Sequence, residues 1–275
     1  MSIYRPVTLI TGASAGIGAA LAHVFAAAGY EIALVARREA ELSVLAAEIA
    51  AAHFVPHVLP FDLLRSDTPA RISHELLSRG LEPAIIVNNA GFGLLGPAAA
   101  LDRGEQLAMI DLNIRALTDL SLRWIESAAR HGGGILNVAS LAGFLPGPNM
   151  AVYYATKAYV LSFTEALHEE LRPRGVRVTA LCPGPVPTEF QRRAGIQRTG
   201  GLPRMMVRSA DAVARAGYEG FIAGRSLVVP GLANKLVSVL PRFVPRSVML
   251  AAVGASSRRL GLRPAASWLK RPPRA

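Results

Sequence analysis

Short apolar runs alternate along the first 230 residues with longer stretches in which apolar positions recur at helical spacing. The apolar runs predict strands at residues 7–10, 31–35, 55–59, 84–87, 134–138, 176–181 and 226–229. The helical patterns between them cover residues 17–28, 39–52, 67–79, 103–130, 151–172 and 209–223. This alternation predicts an α/β fold, a doubly wound parallel sheet flanked by helices. Residues 1–230 would form one domain, and residues 231–275 a basic, amphipathic helical C-terminal extension.

The first predicted strand runs directly into a glycine-rich turn, Thr11 to Gly18, which leads into the first helix. Glycines permit a sharp turn and let a pyrophosphate approach the backbone without a Cβ in the way. The N–H groups and the dipole of the helix N-terminus then favour an anion. The spacing Gly-x-x-x-Gly-x-Gly differs from the commonest dinucleotide motif, and a plain glycine-rich turn would look the same in isolation.

Tyr153 and Lys157 are spaced Tyr-x-x-x-Lys within a predicted helix, so their side chains lie one turn apart on the same face. An ammonium held beside a phenol stabilises the phenolate and lowers the pKa of the tyrosine from about 10. Tyr153 is therefore a candidate general acid and base near neutral pH. By itself, the spacing would also suit an exposed helical pair.

Further polar motifs follow the ends of the predicted strands. The full set is Thr11-Gly12-x-x-x-Gly16-x-Gly18, Asp62, Asn88-Asn89-Ala90-Gly91, Asn113, Ser140, Tyr153-x-x-x-Lys157 and Pro183-Gly184-x-Val186-x-Thr188. In this order, the motifs make the chain resemble the short-chain dehydrogenase/reductase family from about residue 6 to about residue 190. The resemblance implies a Rossmann-like fold. It also implies an enzyme that interconverts an alcohol and a ketone or aldehyde by hydride transfer with NAD(P).

The resemblance also assigns roles to four catalytic residues. Tyr153 would donate a proton to the substrate oxygen or accept one from it, and Ser140 would hydrogen-bond the same oxygen. Lys157 would lower the pKa of Tyr153 and bind the nicotinamide ribose. Asn113 would anchor a water that links Lys157 to solvent. Tyr154 is a neighbouring alternative to Tyr153, but it lies three residues from Lys157 rather than four.

The residues after the second strand favour NADP over NAD. Enzymes that prefer NAD usually carry an acid there to bind the ribose 2′-hydroxyl, and this chain has Ala36 instead. Arg37, with Arg38 as a second candidate, offers a planar fork for the 2′-phosphate. Ala15 departs from the family pattern, because many NADP-dependent relatives carry a basic residue there. The candidate cofactor-binding residues are Gly12, Ser14, Gly16, Ile17, Gly18, Arg37, Arg38, Asp62, Asn89, Ala90, Gly91, Tyr153, Lys157, Pro183, Gly184, Val186 and Thr188. The resemblance implies that Asp62 would accept from the adenine amino group, Asn89 would line the adenine ribose side and Thr188 would contact the nicotinamide carboxamide.

The expected substrate is a largely apolar small molecule, with or without an anionic group. Residues 190–208 would form a mobile lid, and they include five arginines. The same apolar side chains could instead belong to the core. A 3-oxoacyl-thioester reductase and a non-catalytic cofactor-sensing regulator are the alternative functions. The candidate wall residues are Phe92, Leu94, Phe144, Leu145, Met150, Phe190, Met205 and Met206.

Almost all of the net charge of +11 lies near the C-terminus. Residues 220–275 contain ten basic residues and no acid. This segment could pack on its own domain or on a partner subunit, or it could lie on an anionic membrane surface. Nucleic-acid binding has no motif to support it. Leu236, Val239, Leu240 and Phe243 recur at a spacing that favours burying one face of a helix.

The remaining composition predicts a cytoplasmic protein, with peripheral membrane contact as an addition. Cys182 is the one cysteine, lies in an apolar strand and is expected to be buried and inert. We expect neither a signal segment nor a membrane-spanning helix. The histidines show no metal-ligand spacing, so no metal site is expected. We expect a homo-oligomer, a dimer or a tetramer.

Overall fold

The structure is a computed structural model that describes residues 4–195 and 204–259. In this part of the chain, the strands form one parallel sheet, as the sequence predicts, and their order is β3-β2-β1-β4-β5-β6-β7. Because neighbouring strands are parallel, their carboxyl ends meet at one edge of the sheet. The strands are β1 (Arg5–Thr11), β2 (Ile32–Ala36), β3 (His57–Pro60), β4 (Leu81–Asn88), β5 (Gly134–Val138), β6 (Arg177–Leu181) and β7 (Leu227–Val228).

Helices cover both faces of this sheet. They are α1 (Gly16–Ala27), α2 (Glu39–Ala50), α3 (Thr68–Ser78), α4 (Arg103–Ile110), α5 (Leu117–Arg123), α6 (Ile125–Arg130), α7 (Ala151–Leu171), α8 (Glu189–Arg193), α9 (Ala210–Ile222), α10 (Leu232–Val239) and α11 (Arg246–Arg259). The single helix predicted over residues 103–130 is wrong in detail. A π-helical turn, Asp111–Ala116, joins α4 to α5, and Trp124, at φ −117° and ψ 22°, interrupts the helix before α6.

The hydrophobic core lies in two layers, one on each face of the sheet. On one face, Leu21 and Phe25 of α1 and Phe221 of α9 pack against strand residues such as Ile10. On the other face, side chains from α3, α5 and α7 pack against the alternate strand residues, including Leu9. Burial on both faces explains why the strands read as continuous apolar runs.

The segment after residue 230 folds onto the domain through its polar residues. Asn234 of α10 is fully buried, and its Nδ2 donates to the carbonyls of Pro230, at 2.8 Å, and Met206, at 3.1 Å. Ser238, one turn later, is also buried. In α11, Ser257 is 2.9 Å from Asn149, which donates to it. The extension therefore packs on the domain as far as residue 259, and residues 260–275 lie outside the described residues.

Helix α10 does not bury its apolar face on its own domain, and contact of this face with a partner subunit stays a prediction. Leu236 is 67% exposed, and Phe243 in the turn after α10 is 80% exposed. Val239 and Leu240 are 44% and 45% exposed. Helical spacing identifies residues that share a face, but it does not identify the face that meets the protein.

Because Asn234 is buried and Leu236 is exposed, we expect their substitutions to change the stability by different amounts. Asn234→Ala should lower the free energy of unfolding by about 1–3 kcal/mol, because the buried carbonyls of Pro230 and Met206 lose a donor. Leu236→Ala, two residues away on the opposite side of α10, should change it by less than about 0.5 kcal/mol, because Leu236 is exposed. Denaturant unfolding of the two variants measures both values. A larger loss for Leu236→Ala would show that α10 packs through its leucines instead.

Candidate active site

A cavity of about 850 Å³ lies at the carboxyl edge of the sheet. The loops after strands β1 to β6 contribute to its wall, as expected for a ligand site in an open parallel sheet. Gly18 and Asn113, two of the predicted site residues, lie behind this wall rather than on it. The predicted residues on the wall are Gly12, Ser14, Gly16, Ile17, Arg37, Arg38, Asp62, Asn89, Ala90, Gly91, Ser140, Tyr153, Lys157, Pro183, Gly184, Val186 and Thr188.

The glycine-rich turn needs its glycines for two different reasons. Gly12 and Gly16 have φ values of +65° and +60°, which side chains rarely adopt. At Gly18 a Cβ would lie 2.2 Å from the carbonyl oxygen of Gly12, so the close approach of α1 to the turn excludes it. Helix α1 begins at Gly16 with no acid in its first turn. Its free N–H groups therefore form a site for an anion.

Asn89 holds the glycine-rich turn in place. Its Nδ2 donates to the carbonyls of Thr11, at 2.9 Å, and Gly12, at 3.1 Å. The hydroxyl of Thr11 in turn accepts from the backbone N–H groups of Asn89 and Ala90. Asn89 therefore braces the turn as well as lining the cavity. Its expected contact with the adenine ribose stays a prediction.

The two arginines after β2 have different surroundings. Arg38 donates to Ser14 and pairs with Glu41, at 3.3 Å, and Glu189, at 3.0 Å. Arg37 is exposed and pairs with no acid of the described chain. Arg37 is therefore the freer of the two guanidinium groups. No sequence pattern predicts that Glu189, at the start of α8, pairs with Arg38.

Asp62 lies in a tight turn after β3. One carboxylate oxygen accepts from the backbone N–H of Leu64 at 3.0 Å, and the Asp62 carbonyl accepts from Thr68 at 2.6 Å. These bonds fix the turn and leave Asp62 on the cavity wall. The predicted contact with an adenine amino group remains a prediction.

Ser140, Tyr153 and Lys157 come together at the centre of the cavity. Ser140 follows β5, and its hydroxyl lies near enough to the Tyr153 phenol to lower the pKa of that group. Tyr153 lies in the first turn of α7, is 9% exposed and packs against the Phe190 ring at 5.4 Å. The Lys157 Nζ lies 6.0 Å from the centre of the Tyr153 ring and donates to the Val138 carbonyl at 2.8 Å. The structure thus selects Tyr153 over Tyr154 as the partner of Ser140.

Burial shifts the pKa values of these groups toward their uncharged forms. Burial raises the pKa of Tyr153 to about 12, and the nearby Ser140 hydroxyl lowers it in part. Burial lowers the pKa of Lys157 to about 8. The prediction that Lys157 lowers the pKa of Tyr153 is wrong for the protein alone. The loss of water around the phenol outweighs an ammonium that is itself desolvated and bonded to Val138.

Asn113 fixes the loop after β4 to helix α7. It lies in the π-helical turn and is 1% exposed. Its Oδ1 accepts from the backbone N–H of Phe92 at 3.1 Å. Its Nδ2 donates to the Phe92 carbonyl at 3.0 Å and to Thr156 at 3.1 Å. Since both amide hydrogens are used, the water predicted at Asn113 would have to donate to an oxygen of this residue, in the side chain or the backbone.

The loop after β6 closes the cavity beside the glycine-rich turn. A Cβ on Gly16 would lie 3.0 Å from the Thr188 side chain, so the two loops are in contact. A Cβ on Gly184 would lie 2.6 Å from the buried Asn234 amide of α10. Pro183 and Val186 complete this loop on the cavity wall. Helix α10 therefore supports the loop from behind.

Half of the predicted substrate wall is correct. Leu145, Met150, Phe190 and Met206 line the cavity. Phe92, Leu94 and Phe144 pack into buried clusters, and Met205 is 69% exposed. Of the predicted lid, residues 196–203 lie outside the described residues. The sequence missed the contribution of the C-terminal helices, which add Val237, Val253 and Ser256.

Two further predictions concern groups away from this centre. Cys182 is fully buried and its pKa is raised to about 12, which confirms an inert thiol. Within residues 4–195 and 204–259, no group of three His, Cys, Asp or Glu side chains could hold a metal ion. No helix in those ranges has the length and apolar character to cross a membrane.

Comparison with known proteins identifies the family of this chain. The family model described as short chain dehydrogenase matches residues 6–199. The chain belongs to the short-chain dehydrogenase family. It is therefore an oxidoreductase of the dehydrogenase and reductase type.

Named relatives of this short-chain dehydrogenase differ in their substrates. Sulfoacetaldehyde reductase 2 of Chromohalobacter salexigens is 37% identical over 71% of this chain and 77% of its own. A short-chain dehydrogenase from Sphingobium yanoikuyae in complex with NADPH has a TM-score of 0.73 at 33% identity. The match covers 95% of this chain and 98% of that one. The bulky-bulky ketone specific alcohol dehydrogenase of Comamonas testosteroni has a TM-score of 0.71 at 29% identity, over 95% and 96%.

Proposed function

We propose that this protein is an NADP-dependent oxidoreductase that interconverts an alcohol and a ketone or aldehyde, on a largely apolar substrate. The observation that carries the proposal is the convergence of Ser140, Tyr153 and Lys157 on one cavity with the glycine-rich turn. The bound nicotinamide would supply or accept the hydride. The protein's own residues bind the cofactor, orient the substrate and move the proton.

The groups that line the cavity fit a dinucleotide that carries a 2′-phosphate. The turn excludes side chains at Gly12, Gly16 and Gly18, which leaves backbone N–H groups open to a pyrophosphate. Arg37 is free to pair with a 2′-phosphate, and Ala36 offers no carboxylate to repel one. The relative from Sphingobium yanoikuyae, which is in complex with NADPH, supports the same cofactor.

The proton step would pass through Tyr153. With a pKa of about 12, the phenol keeps its proton at neutral pH, so it is ready to donate to a carbonyl oxygen as that oxygen gains charge. The Ser140 hydroxyl lies near the same phenol, and a substrate oxygen between the two groups would be held by both. In the opposite direction, the positive charge of Lys157 would stabilise the phenolate that accepts the proton.

The cavity walls favour an apolar ketone or the matching alcohol. Leu145, Met150, Phe190 and Met206 surround the space beside Tyr153, and Val253 of α11 adds to it. The relative that is specific for bulky ketones has a similar fold over almost the whole chain. Arg193 lies over the Phe92 ring at 4.4 Å and could meet an anionic end of the substrate. All four predicted catalytic residues are present, which weighs against a non-catalytic regulator.

We also propose that the protein forms a homo-oligomer through α4, α5 and α7. Leu107, Leu122 and Tyr159 on these helices are between 38% and 51% exposed. They leave apolar surface that contact with a second copy would cover. The cytoplasmic location predicted from the lone buried Cys182 stays a prediction.

The central test of the proposed reaction is the Tyr153→Phe variant. Turnover should fall by roughly 10²–10⁴ while NADPH still binds, because the ring remains and the transferable proton is lost. Turnover is measured as NADPH oxidation against a panel of apolar ketones. Tyr154→Phe is the matched control and should keep most of its activity. Loss of turnover in the control with full activity in Tyr153→Phe would reverse the assignment.

A second experiment tests the cofactor. Arg37→Ala should weaken NADPH binding by about ten- to a hundredfold and leave NADH binding nearly unchanged, because the 2′-phosphate loses a charge-assisted contact. Calorimetry gives both dissociation constants. Arg79→Ala, which removes an arginine paired with Glu75 on α3, should change neither. Tighter binding of NADH than NADPH by the unmodified protein would contradict the proposed cofactor.

A further inference from the structure

Helices α10 and α11 and the turn between them present an unusual number of apolar side chains to solvent. We call the surface of α10 and this turn the outer face. On α10, Leu232, Leu236, Val239 and Leu240 recur at one-turn spacing and lie on one side of the helix. Exposed apolar surface of this extent marks an interaction site in a folded protein. The outer face consists of Leu232, Leu236, Val239, Leu240 and Phe243, with exposures between 44% and 80%, and Val248 and Leu250 of α11 are also exposed.

The attachment of α10 to the domain does not account for these side chains. The inward side of α10 carries buried Asn234, bonded to two backbone carbonyls, and buried Ser238, bonded to Lys235, beside the half-buried Val237. In an ordinary surface helix, the apolar side faces the core and the polar side faces water. Here the order is reversed. The apolar stripe therefore serves a contact outside the domain.

The charge of the segment indicates the nature of that contact. From residue 220 to the end, the chain has ten basic residues and no acid. Lys235, Arg242 and Arg246 are exposed on or beside the outer face, and none pairs with an acid of the described chain. We propose that the outer face docks on an anionic lipid bilayer. Its apolar side chains would enter the interface while the basic groups meet the headgroups.

A second copy of the chain fits this surface less well. In a two-fold symmetric dimer the outer face would meet itself, and the cations at Lys235, Arg242 and Arg246 would face the same cations. Like charges across an interface oppose association, and no acid follows residue 220 to offset them. Nucleic acid would meet the basic groups but would leave the aliphatic stripe exposed.

Docking would also bring the substrate cavity close to the bilayer. Val237 of α10 and Val253 and Ser256 of α11 line the cavity from the inner side of the same helices. One helix is roughly 10–12 Å across, so the cavity lies about that far from the outer face. An apolar ketone dissolved in the bilayer would then have a short path to Tyr153. This consequence rests on the proposed function, whereas the docking itself does not.

Vesicle sedimentation of the full chain tests the docking without any measurement of activity. The protein should sediment with phosphatidylcholine vesicles that contain phosphatidylglycerol, and much less with pure phosphatidylcholine. Binding should weaken as ionic strength rises past about 0.15 M, where the Debye length is about 8 Å. Equal binding to the two kinds of vesicle, or none to either, would overturn the proposal.

Variants then locate the contact on the outer face. Leu236→Asp and Phe243→Asp should each lower the partition coefficient at least about tenfold, because a carboxylate replaces an inserted apolar group. Arg242→Gln and Arg246→Gln should each lower it about fivefold. Val44→Asp on α2, where Val44 is 60% exposed, is the matched control and should bind like the unmodified protein.

Three results would contradict the outer face as the docking surface. One is a loss of binding in Val44→Asp that equals the loss in Leu236→Asp. Another is full binding by the Leu236→Asp and Phe243→Asp variants, with loss after truncation at residue 259, which would assign the contact to the C-terminal residues. The third is a change in oligomer size in Phe243→Asp without vesicle binding by the unmodified protein, which would identify a subunit interface. Melting temperatures show that each variant is folded.

Discussion

The side-chain amide of Asn113 joins the two parts of the active site. It bonds the backbone N–H and carbonyl of Phe92 in the loop after β4, and it donates to Thr156 of α7. The loop after β4 is itself tied to the glycine-rich turn through Asn89 and Thr11. A chain of buried hydrogen bonds therefore runs from the turn that would hold the pyrophosphate to the helix that carries Tyr153. Each broken bond would leave a buried polar group without a partner, at a cost of about 1–3 kcal/mol.

The burial that fixes these groups also sets their protonation. Desolvation favours the neutral phenol of Tyr153 and the neutral amine of Lys157, and it moves their pKa values to about 12 and about 8. The Tyr153 phenol thus keeps its proton over the whole neutral range. The charge of Lys157 is present below pH 8 and declines as the pH rises through that value.

Sequence alone could predict the sheet and the place of the site, because both follow from local patterns. Apolar runs alternating with helices imply parallel strands, and residues after those strands must meet at one edge. The surroundings of single side chains could not be predicted in this way. The contacts of Arg38 with Glu189, and of Gly184 with Asn234, join residues far apart in the chain. For the same reason, the periodicity of α10 gave its apolar face but not the direction of that face.

The role of Asn113 in positioning Tyr153 is tested most directly by the turnover of Asn113→Leu. This variant keeps the size of the side chain but removes all three hydrogen bonds. Thr179→Val is the control, because it removes a buried hydrogen bond to the Arg225 carbonyl away from the site. Both variants are compared well below their melting temperatures. We expect turnover to fall roughly tenfold to a hundredfold in Asn113→Leu, because Tyr153 loses its position. Turnover should change little in Thr179→Val. If Asn113→Leu turned over as fast as the unmodified protein, this role of Asn113 would be contradicted.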